Sequence, residues 1–180
     1  MPKDSQEQFN KMLALYPDVW NSPAKLMSYL RGCLRSAWNK HPVKHIFIKK
    51  IRKQIKNPNP RGNKPTVWGF TCAMCKQDFP TSQLQVDHIE AAGQLNSLKD
   101  IQTFIERLFL VTEDDLRPVC KECNNALSLA DRQGITYEQA IRRKKVIAFG
   151  KLSQYDQEAI VGKCKTKKER IQKYEEMLDQ

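Results

Sequence analysis

Two short cysteine pairs, and a carboxylate beside an imidazole, are the residues of this chain whose types and spacing suit chemistry. The pairs are Cys72-Ala-Met-Cys75 and Cys120-Lys-Glu-Cys123, 44 residues apart, and between them stands Val86-Asp87-His88-Ile89. A two-residue spacer lets both sulfurs of a pair reach one ion from a tight turn, and four thiolates form the closed tetrahedral set that structural zinc prefers. Structural Zn²⁺ on Cys72, Cys75, Cys120 and Cys123 is therefore the expected cofactor. The rival use of Cys-x-x-Cys is redox exchange, which two such pairs in one basic chain make the weaker reading. Lys76, Lys121 and nearby backbone amides would help to stabilise the thiolates that zinc requires. Cys33 sits on an apolar stripe and is expected to be a small buried hydrophobe, while Cys164 lies in a basic segment with no assigned role.

Asn124 follows the second pair at once, so a shared ion would bring its amide oxygen towards the end of the strand that bears Asp87. A hard cation, Mg²⁺ or Mn²⁺, takes oxygen ligands, keeps several waters and completes its shell with substrate phosphate. Asp87 and Asn124 can supply the protein oxygens. His88, next along an extended backbone, points the other way and is free to act on water. That division of labour suits phosphodiester hydrolysis: neutral imidazole deprotonates a water, and the cation stabilises charge on the phosphate and the leaving 3′ oxygen. The plainer alternative makes Asp87 and His88 a structural couple beside the zinc.

The charge points the same way. The net charge is +11, and from Val19 to Gln77 there is no acidic residue, although thirteen of the 31 basic residues fall there. A local field of one sign favours a polyanion, and nucleic acid is the commonest. The candidate contacts are Arg31, Arg35, Lys49, Lys50 and Lys53, with Arg142 and Arg143 further on. A solvated basic surface is the bland alternative. A basic amphipathic helix on an anionic membrane ranks lower, because nothing else in the chain points to lipid. No stretch approaches the ~20 apolar residues of a membrane helix, and no leading segment joins a basic start to an apolar run, so a reduced cytosolic setting is expected.

The elements that must position these groups can be read from caps and periodicity. Ser5 and Gln8 have capping-box spacing ahead of Phe9, Met12, Leu13 and Tyr16, which predicts a first helix ending before Pro17. Ser22-Pro23 opens a second, with Leu26, Leu30, Cys33, Leu34 and Ala37 as its apolar stripe and Trp38 as a core or flank residue. Pro42 opens a third, with Phe47, Ile48, Ile51 and Ile55 facing inward. The run 57–65, rich in Asn, Pro and Gly, reads as a linker with a boundary near Thr66. Strands are expected over Val67 to Cys72, Leu84 to Val86 and Leu116 to Val119. Helices are expected from Ser97, from Asn124 to Ala130 with Gly134 as terminator, from Thr136, and around Ile171, Tyr174 and Leu178.

Together, Cys72-x-x-Cys75, Val86-Asp87-His88-Ile89 and Leu116-Arg117-Pro118-Val119-Cys120-Lys121-Glu122-Cys123-Asn124 resemble the HNH, or ββα-metal, nuclease motif with its zinc knuckle. The likeness spans Trp68 to Leu129, and Leu30-Arg31-Gly32-Cys33-Leu34-Arg35 is more loosely similar to the leader of phage HNH homing-type endonucleases. The resemblance implies an α+β fold: a zinc-stabilised ββα-metal core (66–134) between mainly helical extensions, a basic DNA-binding one (1–65) and a C-terminal one (135–180). It implies His88 as general base, Asp87 and Asn124 as ligands of the catalytic cation, and double-stranded DNA as partner. It also implies a bacterial host cytoplasm if the chain is phage-encoded. Asn124 stands where many members have histidine, and Asp115 where the central asparagine usually sits. An aspartate can make that residue's acceptor bonds but not its donor bonds. Two other functions fit the same residues: a non-catalytic zinc-dependent nucleic-acid-binding module, and a structure-specific junction resolvase.

Overall fold

The computed structural model describes residues 4–60 and 64–179 of the chain. It divides into two compact units, Met1–Cys120 and Lys121–Gln180. Both are built from helices, and the first also carries two small antiparallel sheets. Among the described residues, no helix is long and apolar enough to cross a membrane.

The first unit opens with three helices, α1 (Ser5–Leu15), α2 (Pro23–Trp38) and α3 (Pro42–Ile51). The α1 cap is Asp4, whose carboxylate accepts the Gln6 N–H, and Ser5 is already helical. Ser22 caps α2 as expected, accepting the Lys25 N–H. The expected stripe on α2 needs correction. Leu26, Met27 and Trp38 are buried, whereas Cys33 is exposed. Leu30 and Leu34 of the expected stripe pack against the same core as Leu26, but Cys33 and Ala37 are exposed, so Cys33 is a surface thiol.

The second correction concerns the expected linker. Helix α3 stops at Ile51, and Lys53–Lys56 form a strand, β1, pairing antiparallel with β2 (Thr66–Thr71). Ile55 is buried as expected, but from a strand. Beyond the two strands, Asn57 N–H reaches the Pro65 carbonyl at 2.8 Å and Asn57 Nδ2 the Lys64 carbonyl at 2.9 Å, so the expected linker joins two paired strands. Its residues 61–63 lie outside the described set. Strand β3 (Asp78–Pro80) pairs with the other edge of β2.

The second sheet is β4 (Leu84–His88) paired with β5 (Leu116–Cys120), Leu84 opposite Cys120 and His88 opposite Leu116. Between them runs α4 (Ile101–Phe109), entered through a capping box of Ser97 and Asp100. Phe104 and Leu108 bury completely in a core that includes Leu26, Met27, Trp38, Phe47, Leu95 and Leu116. Each such side chain contributes about 1.5–3 kcal/mol of transfer free energy.

In the second unit, α5 (Lys121–Gln133) starts directly after β5 and ends before Gly134, which has φ of 61°. Thr136 and Gln139 form the expected capping box of α6 (Tyr137–Phe149). Two further helices follow, α7 (Gln154–Val161) and α8 (Lys167–Met177). The sequence reading did not anticipate α7, because what it buries is polar. Gln157 donates to the Phe149 and Leu152 carbonyls and accepts from Arg170 Nε at 2.8 Å, both side chains being buried.

Gly69 is the tightest point of the first sheet. A Cβ built there would meet Ile55 and lie 2.6 Å from the Phe79 carbonyl oxygen, a backbone atom that cannot rotate away. Gly69→Ala is expected to destabilise the protein by about 1–3 kcal/mol, the usual cost of overpacking. Chemical denaturation of the pure variant checks this, and an unchanged midpoint would show that the sheet has slack there.

Candidate metal centre and its neighbours

The four expected cysteine sulfurs lie within 4.8 Å of one another, a cluster that could hold a metal ion. A tetrahedral zinc with Zn–S of about 2.3 Å has sulfur–sulfur edges of about 3.8 Å, so the set fits such an ion after a small contraction. The first pair sits on a turn between β2 and β3. There the Cys72 N–H reaches the Gln77 carbonyl at 2.9 Å and the Lys76 N–H reaches the Cys72 carbonyl at 3.0 Å. Lys76 takes a φ of 61° to close that turn, a conformation that costs a residue with a Cβ about 1–2 kcal/mol. The second pair lies where β5 becomes α5, with Cys120 ending the strand and Cys123 in the first turn.

Backbone amides do most of the thiolate support expected of this region. Burial raises the Cys72 thiol, but the N–H groups of Cys120, Cys75 and Met74, with the Cys75 thiol, outweigh it and hold the group at about 7. The Cys120 N–H lies 3.3 Å from Cys72 Sγ, and the Ala73 N–H ties the turn to the Pro118 carbonyl at 2.7 Å. The ammonium of Lys76, expected to help, instead donates to the Ala73 carbonyl at 2.7 Å. A contributor that the sequence reading missed is Tyr137, whose hydroxyl donates to Cys123 Sγ at 3.1 Å. Its place beside the Thr136 cap was legible, but its sulfur partner fourteen residues earlier is a tertiary fact.

Asp87 and His88 are the last two residues of β4, and strand alternation sends them to opposite faces. Asp87 stands opposite Arg117 in the register, and Arg117 Nε and Nη2 both donate to Asp87 Oδ2 at 2.8 Å. Both side chains are mostly buried. Arg117 had no role in the sequence reading; finding it requires the register of two strands 28 residues apart. Both bonds converge on one oxygen, Oδ2.

His88 turns into the core face. Its ring centroid is 4.5 Å from that of Trp38, and Nε2 lies 3.2 Å from the Leu108 carbonyl oxygen. A carbonyl only accepts, so Nε2 carries the proton and Nδ1 holds the lone pair of the neutral ring. Burial pushes the imidazole pKa down. The Leu108 bond and Asp87 oppose this, and the cations of Arg35 and Lys44 reinforce it. Lys44 itself lies 5.7 Å over the Trp38 ring, its own pKa lowered by burial. His88 is therefore the neutral form at neutral pH.

Asp115 makes the acceptor bonds anticipated for it. Its Oδ2 accepts from the Thr112 N–H at 2.7 Å and hydroxyl at 2.8 Å, which hold the carboxyl below the usual carboxylate range. Its backbone carbonyl accepts the Ile89 N–H at 2.9 Å, tying this turn to the residue after His88. Asn124 is half-buried in the first turn of α5, one residue beyond Cys123.

Several expected nucleic-acid contacts already have partners. Lys50 pairs with Glu113 at 2.7 Å and Lys53 with Asp78 at 2.8 Å. Arg35 lies 5.9 Å over Phe104. Arg142 donates to the Glu175 carbonyl and to Asp179, and Arg143 to Gln133. Arg31 is half-buried and Lys49 exposed. Exposed pairs such as that of Lys53 contribute little to stability.

Compared with known protein families, curated proteins and solved structures, the chain has no match.

The Asp87–Arg117 pair should be energetically coupled. A double-mutant cycle of Asp87→Ala and Arg117→Ala, read by denaturant unfolding, is expected to give a coupling of about 1–2 kcal/mol, above that of exposed pairs. A coupling near zero would mean that the two side chains are held apart in solution.

Proposed function

We propose that this chain is a metal-dependent DNA endonuclease of the ββα-metal kind, phage homing-type by its resemblance, with a structural zinc on the four cysteines. One observation carries the reading. Strand β4 ends on Asp87 and His88, pairs residue for residue with β5, and β5 passes without a loop into α5. That strand–strand–helix order is the one in which the resemblance sets a general base and a cation ligand side by side.

In this reading His88 Nδ1 takes a proton from a water, because Nε2 is committed to the Leu108 carbonyl. Arg117 fixes the Asp87 carboxylate through Oδ2, and Asp87 and Asn124 would be the protein ligands of Mg²⁺ or Mn²⁺. The bound cation supplies stabilisation of charge on the scissile phosphate and the leaving 3′ oxygen. Trp38 and Leu108 hold the imidazole plane, so the base keeps one orientation.

A second reading has its own support. Asp87 and His88 each have a structural partner, as they would in a zinc-held binding module without catalysis. One experiment separates the two. Supercoiled plasmid is incubated with wild type and with His88→Ala, with Mg²⁺ or Mn²⁺ and with EDTA. The nuclease reading predicts cation-dependent cutting that falls about a hundredfold or more in the variant, the usual worth of a general base. Wild type that is inert with every cation, or His88→Ala that cuts as well, gives the site to the binding module.

A further inference from the structure

The β1–β2 hairpin has a face that neither the cysteine cluster nor the Asp87–His88 pair uses. In the register of the two strands, Gln54 lies opposite Trp68 and Lys56 opposite Thr66, which puts these four side chains on one face. Arg52, two residues before Gln54, joins them, and its guanidinium carbon stands 4.6 Å from the Trp68 ring centroid. The opposite face carries Ile55, which is buried, and Gly69. Trp68 is 49% exposed, although an indole of this size normally buries most of its surface. Arg52, Gln54, Lys56 and Thr66 are exposed beside it.

We propose that this exposed hairpin face docks on duplex DNA, with Arg52, Gln54 and Trp68 directed at base edges and Lys56 at a phosphate. The chemistry of the face selects that partner. It carries cations, two groups that both donate and accept, and one aromatic, with no carboxylate among them. The sheet's one acidic side chain, Asp78, lies on the other face and is bridged to Lys53. Two strands set about 4.8 Å apart make a ribbon narrow enough for the major groove, about 12 Å wide. There an arginine suits a guanine edge, a glutamine suits an adenine edge, and an apolar ring suits a thymine methyl. Stacking of Arg52 on Trp68 holds the guanidinium in place before binding, so less freedom is lost on contact. A lipid surface would ask for several exposed apolar side chains; of the three rings on this side of the sheet, Phe70 is buried and Phe79 half-buried, so Trp68 is the exposed one.

The proposal rests on the nuclease reading only in taking duplex DNA as substrate, and its test needs no cutting. Fluorescence anisotropy of a labelled duplex is followed without divalent ions, over a range of salt, using full-length protein carrying His88→Ala. Trp68→Ala, Trp68→Phe and the pair Arg52→Ala with Lys56→Ala are added in that background, with Lys168→Ala as a control on α8 and thermal melting as the check on folding. Trp68→Ala should weaken binding about tenfold and Trp68→Phe much less, as expected for a contact at the base edges. The Arg52, Lys56 pair should weaken binding and make the log–log salt dependence shallower by about 1, the share of the Lys56 phosphate contact. Lys168→Ala should bind as the parent does. Folded hairpin variants that bind within about twofold of the parent, or a parent with no duplex affinity, overturn the proposal. If wild type cuts plasmid and Trp68→Ala binds and cuts equally well, this proposal falls and the nuclease reading stands. If wild type cuts nothing but Trp68→Ala loses the duplex, the reverse holds.

Discussion

Four sulfur atoms drawn within 4.8 Å of one another tie the turn after β2 to the end of β5 and the first turn of α5. The two pairs are separated by 44 residues, and closing a loop of that length costs about 3 kcal/mol of chain entropy. A shared ion would offset it directly, because metal binding to a site absent from the unfolded chain is folding free energy. The amides around Cys72 are arranged for this, holding its thiol at about 7 against the upward push of burial. Cys120 ends β5 opposite Leu84, and in that register Asp87 pairs with Arg117 and His88 with Leu116.

That register gives the two chemically interesting side chains very different surroundings. Asp87 faces a cation on the neighbouring strand, whereas His88 is lodged between Trp38 and the Leu108 carbonyl. Each is thereby oriented, and each gives up one of its polar atoms to do so. The Asp87 carboxylate and His88 Nδ1 define what the proposed chemistry has to work with. Preorganisation of this kind suits catalysis, where reacting groups must already stand in place when charge develops.

What could be read in the sequence was local. Ser22-Pro23, the Ser97/Asp100 and Thr136/Gln139 boxes and Gly134 mark element ends because capping chemistry acts over three or four residues. The cysteine cluster was legible for the same reason, each pair being a local turn. The β1–β2 hairpin was not. Lys53–Lys56 continues the basic pattern of α3, and only pairing with Thr66–Thr71 decides that it is a strand. Cys33 was assigned to the core by periodicity, but the face of α2 that is buried depends on where α4 and the second sheet supply Phe104, Leu108 and Leu116. Arg117, Tyr137 and Gln157 all act through partners that are remote or polar, which hydrophobic periodicity cannot register.

A metal on Cys72, Cys75, Cys120 and Cys123 would hold this frame. Native mass spectrometry of the purified chain, before and after a strong chelator, with melting followed in parallel, tests it most directly. The expected result is one zinc per chain, lost to the chelator together with a large fall in melting temperature. A chain that carries no metal, or melts at the same temperature once stripped, would contradict the claim.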